Sequence, residues 1–105
     1  MITETEFAQL RNSYIVIGKM VQKYGNNQYN EILKILLGQI RCIDSNEDVD
    51  IKTQYLVESY NRIFVKRGGL SDFIINDSNV EIRTMLNETF NNEIQKIWMI
   101  VKTYL

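Results

Sequence analysis

Apolar residues recur along the first quarter of the chain in a helical rhythm. Phe7, Leu10, Tyr14, Ile17, Val21 and Tyr24 are separated by 3, 4, 3, 4 and 3 positions, which sets them on one face of a helix. Thr3 and Glu6 just before them have the spacing of a capping box, in which each side chain bonds an amide that the helix start leaves without a partner. Gly25 then supplies the left-handed residue that stops a helix. Such a stripe is short for a freestanding coiled coil and predicts packing inside a bundle.

The pattern repeats three times with less regular punctuation. A second helix follows Gly25-Asn26 with Asn27 as its cap, and Tyr29, Ile32, Leu33, Leu36, Ile40 and Ile43 facing inward. Ile35 and Leu37 widen that stripe, and a helix apolar over so much of its circumference is expected at the centre of the bundle. The polar stretch from Asp44 to Asp48 ends it. A third helix runs from about Asp48 to Val65 with Leu56, Tyr60, Ile63 and Phe64 inward; Asp48 and Asp50 at its start and Lys66 and Arg67 at its end complement the helix dipole. Gly68-Gly69 closes it, and the apolar residues between Leu70 and Ile75 are expected to pack down on the bundle. A second capping box, Ser78 to Glu81, opens a fourth helix that carries Ile82, Leu86, Phe90, Ile94, Ile97, Trp98, Val101 and Leu105 to the chain end. There is no proline to kink or stop any of these segments. The sum is an all-α antiparallel four-helix bundle over residues 1–105, one helical domain with a short packed connection between helices 3 and 4.

Composition removes more chemistry than it adds. The chain has no histidine, so the commonest general base and the commonest transition-metal ligand are both missing. One cysteine, Cys42, can form no internal disulfide, and with Ile40 and Ile43 beside it a buried structural thiol is the expectation. Gly68-Gly69 has neither the spacing nor the lysine of a phosphate-binding loop. Asp44, Asn46, Asp48 and Asp50 alternate like the start of a calcium-binding EF-hand loop. The sixth position of that loop needs glycine and here is Val49, while the twelfth needs glutamate and here is Tyr55. The five-residue spacing of Glu88 and Glu93 puts them on different parts of a helix surface, with no cleft implied for acid–base work. No catalytic residue, cofactor or metal is therefore expected.

Twelve basic and thirteen acidic residues give a net charge of −1, which offers nucleic acid no general attraction. No apolar stretch approaches the roughly 18 residues of a membrane span. Met1-Ile2-Thr3-Glu4 lacks the basic and apolar regions of a secretory signal, so a cytoplasmic protein is the expectation. Eleven asparagines fit an AT-rich coding sequence of bacterial or phage origin. Two charge groups remain as candidates for contact: the acidic run Asp44, Glu47, Asp48 and Asp50, suited to a basic protein partner, and the basic group Arg62, Lys66 and Arg67, suited to an anion. Tyr14, Tyr24, Tyr60 and Trp98 fall on inward faces, whereas Tyr29, Tyr55 and Tyr104 are left open as core or anchor residues.

The segment from Lys66 to Ile75 resembles a Gly-Gly-hydrophobic-x-Ser/Asp-Phe/Leu stretch of small helical bacterial proteins, some encoded beside polymorphic toxins as immunity proteins. Gly68, Gly69, Leu70, Asp72 and Phe73 carry the match, while Ile74-Ile75 replaces the asparagine–aspartate pair that many members have after the aromatic. The resemblance implies a glycine turn, a docked apolar segment and no catalytic residues, and it adds Asp72 to the candidate contact residues. Together these features point to a small non-enzymatic protein-binding module, immunity- or antitoxin-like, that neutralises a partner such as a toxin by covering its surface. Two alternatives stand beside it. One is a structural or regulatory homo-oligomer built on the Phe7–Tyr24 stripe or the Trp98 region; the other is a nucleic-acid-binding accessory protein using Arg62, Lys66 and Arg67.

Overall fold

Thr3 starts the first helix, α1 (Glu4–Tyr24), as its spacing to Glu6 requires. Its hydroxyl accepts from the Glu6 amide at 3.2 Å, and the Glu6 carboxylate accepts from the Thr3 amide at 3.0 Å. The computed structural model describes residues 1–64 and 69–105, and within them three more helices follow: α2 (Asn30–Asp44), α3 (Val49–Ile63) and α4 (Val80–Val101). No strand occurs among the described residues, and the four helices pack as an all-α bundle. Val65, Lys66, Arg67 and Gly68 lie outside the described residues, and with them the expected end of the third helix and its glycine stop.

The helix boundaries correct four expectations. The left-handed residues of the α1–α2 turn are Asn26 (φ 52°) and Asn27 (φ 62°), while Gly25 stays right-handed at φ −85°. Asparagine tolerates that conformation because its short amide can bond locally. Gly25 is needed instead for room, since a Cβ there would collide with the Val21 carbonyl and press on the Tyr29 ring. With both asparagines occupied in the turn, α2 starts later than Asn27, behind Tyr29, and has no side-chain cap. The cap of α4 is Asn79 rather than Ser78: its side-chain oxygen accepts from the Ile82 amide at 3.1 Å, while Asp77 holds the Asn79 amide at 2.8 Å. At its other end α4 stops at Val101 and tightens into a 3-10 turn over Lys102–Tyr104, leaving Leu105 61% exposed.

α1, not α2, is the central helix. It buries seven residues, among them Leu10, Tyr14 and Ile17, and packs against both α4 and α2; α2 buries only Ile32, Leu36 and Gln39. The wide apolar stripe of α2 therefore exceeds what the core covers. Leu33, Ile35, Ile40 and Ile43 are half-buried, and Leu37 is 46% exposed. α3 packs on α2 and meets α4 along a thin seam, where the rings of Tyr60 and Trp98 lie 5.7 Å apart. Burial along α4 begins at Leu86, so Val80, Ile82 and Met85 stay exposed although Ile82 fits the inward pattern.

Both ends of the chain and the α3–α4 connection are tied to this frame. Ile2 is buried, and its amide donates to the Thr53 hydroxyl of α3 at 3.3 Å. The Tyr104 hydroxyl lies 2.6 Å from the Met1 carbonyl oxygen and 3.0 Å from the Glu6 carboxylate, so the end of α4 sits beside the start of α1 and the two run antiparallel. In the connection Leu70, Phe73 and Ile75 are buried, as their pattern predicts. Phe73 stacks edge-on to Tyr29 at 5.2 Å and packs on Phe90 at 4.9 Å. Asn87 fixes the connection's course by bonding both the amide (2.9 Å) and the carbonyl (3.0 Å) of Ile75.

Candidate functional site

The α2–α3 turn holds the acidic run in a defined shape. The Ser45 hydroxyl donates to the Cys42 carbonyl at 2.7 Å, the Glu47 amide donates to the Ser45 hydroxyl at 3.4 Å, and the Lys52 ammonium reaches back to the Ile43 carbonyl at 2.8 Å. Asp44 is engaged in a fork with the Arg11 guanidinium of α1, at 2.8 and 3.1 Å. That hydrogen-bonded cation holds the Asp44 carboxyl below its usual range, and the carboxylate in turn raises the guanidinium. Asp44 therefore clamps α2 to α1. Glu47, Asp48 and Asp50 are exposed, and Asp48 occupies the cap position of α3 without its side chain bonding a helix amide.

Beside this turn a shallow groove opens between α2 and α3, lined by Gly38, Arg41, Cys42, Ser45, Glu47, Ile51 and Tyr55. Ile51 (51% exposed) and Tyr55 (42% exposed) are one helical turn apart and share a face of α3. Tyr55 can lie across α2 because residue 38 is glycine: a Cβ there would sit 3.1 Å from the tyrosine hydroxyl. Cys42 is only half-buried, less than its apolar neighbours suggest. Burial still pushes its thiol up, with Lys52 opposing and Glu47 adding to the rise, which leaves it protonated and a poor nucleophile at neutral pH. The arrangement sets an aromatic and an aliphatic side chain beside one carboxylate, Glu47, and one guanidinium, Arg41.

The remaining candidates fall elsewhere. Arg62 is exposed in the last turn of α3, 14 residues beyond Asp48 and so about 20 Å along the helix. Asp72 is in the 3-10 turn Leu70–Asp72 that follows α3, and Lys66 and Arg67 lie outside the described residues. The acidic run and Arg62 thus occupy opposite ends of α3 and make no single site. Glu88 is exposed, whereas Glu93 is buried beside Ser13 of α1 and pairs with Lys96 at 2.9 Å. Burial works against its ionisation, but the Ser13 hydroxyl and Lys96 together hold the carboxyl below the usual range. Among the described residues no group of three or more acidic or thiol side chains converges to hold a metal, and no helix is long and apolar enough to cross a membrane.

Residue-by-residue patterning missed Ile51, Tyr55 and Gly38 as parts of a groove. It also missed Gln39, which is fully buried with its side-chain amide 3.4 Å from the Tyr14 hydroxyl and 3.5 Å from the Leu56 carbonyl. The readable signal was the surplus of apolar residues around α2. The fold and this surface define a small helical bundle whose second helix carries unpartnered apolar area. No protein-family model, no curated protein and no solved structure matches the chain.

Proposed function

We propose that this chain is a non-catalytic protein-binding module that seats a basic partner on the acid-rimmed α2–α3 face and masks the surface it covers. The observation that carries the reading is the juxtaposition of Ile51 and Tyr55, each about half exposed in one groove, with Glu47 and Arg41 in its lining and Asp48 and Asp50 at the start of α3. A tyrosine and an aliphatic neighbour are the residue types that supply binding energy when a partner desolvates them. Carboxylates at the rim raise the encounter rate with a cationic surface and disfavour an anionic one. The narrower form, an immunity-type protein that blocks a toxin, follows from the resemblance of the Gly68–Phe73 segment and is the form to test first.

The test is co-purification and titration with the protein encoded beside this one. A complex is expected that weakens at high salt, loses about tenfold or more in affinity with Tyr55→Ala, and is indifferent to Arg62→Ala. A neighbouring protein that does not bind excludes the narrower form. A complex that ignores both Tyr55→Ala and reversal of Glu47, Asp48 and Asp50 to lysine excludes this face.

A further inference from the structure

We draw no further inference here: the strongest candidate, the apolar groove between α1 and α2 with Ile15, Gly18, Leu33, Leu37 and Ile40 in its lining and Lys19 as its one charged residue, carries nothing, because nothing in the structure shows what covers it.

Discussion

The two flanks of α2 share a helix and differ in nearly everything else. Toward α1 the groove has an exposed leucine, a glycine and a single lysine; toward α3 it has a tyrosine laid over a glycine, with Glu47 and Arg41 in its lining. Both arise because α2 is apolar around more of its circumference than the core of this bundle covers. The comparison teaches that apolar surplus marks where contact is possible, while the charge beside it decides with what. The carboxylates at the start of α3 favour a basic surface over an anionic one.

The largest effect should come from the residue beneath the surface, not on it. Leu36→Ala, at a position 1% exposed, is expected to lower unfolding free energy by about 2–5 kcal/mol, through lost burial and the cavity left behind. Leu37→Ala, one position further on, should change the stability of the monomer by no more than about 0.5 kcal/mol. Urea denaturation of dilute protein compares the two, and equal losses would mean that Leu37 belongs to the core.

An intermediate effect should appear with pH. The Tyr14 hydroxyl is pushed up to about 12 by burial, with its hydrogen bond to Gln39 opposing the shift. A raised phenol pKa favours the folded state below the ordinary value near 10. That advantage drains away as pH rises from there toward 12, by roughly 2–3 kcal/mol at most. Tyr14→Phe should flatten most of this alkaline loss. On the acid side Glu6, held down chiefly by the Thr3 amide, and Asp44, held down by Arg11, have carboxyls below their ordinary values. The stability they lend is present above the ordinary carboxyl range and lost as pH falls through the depressed folded values. Urea midpoints should therefore be level between about pH 6 and 8 in a chain without histidine, and Asp44→Asn should reduce the acid loss.

The smallest effect sharpens the contrast between the two glycines. Gly18→Ala should stabilise the monomer by about 0.5–1 kcal/mol, as expected for an exposed helix interior. Gly38→Ala should gain less, because the new methyl group must displace the Tyr55 hydroxyl that lies 3.1 Å from its position. Thermal melts that rank them in the opposite order would break the account of the α2–α3 groove.

Fold class was legible because helical periodicity is a local property, and the Thr3–Glu6 box is local too. The features that patterning missed depend on residues far apart in sequence. Asp44 reads as part of a free acidic run until Arg11, 33 positions earlier, is seen to hold it. Gln39 reads as a surface residue until Tyr14 and Leu56 close over it from two other helices. The wide stripe of α2 was visible, but its expected meaning, centrality, was overturned by α1. α1 buries seven residues between α2 and α4, whereas α2 buries three between α1 and α3.

The central claim is that the apolar surplus of α2 and its neighbour α3 is contact surface. Oxidative side-chain footprinting, in the native cell and on dilute purified protein, tests it most directly. The account predicts that Leu37, Ile51 and Tyr55 are protected in the cell, while Val80, Met85 and Met99, which are as exposed or more so in the isolated chain, react alike in both settings. Equal labelling of Leu37, Ile51 and Tyr55 in cell and test tube would contradict it.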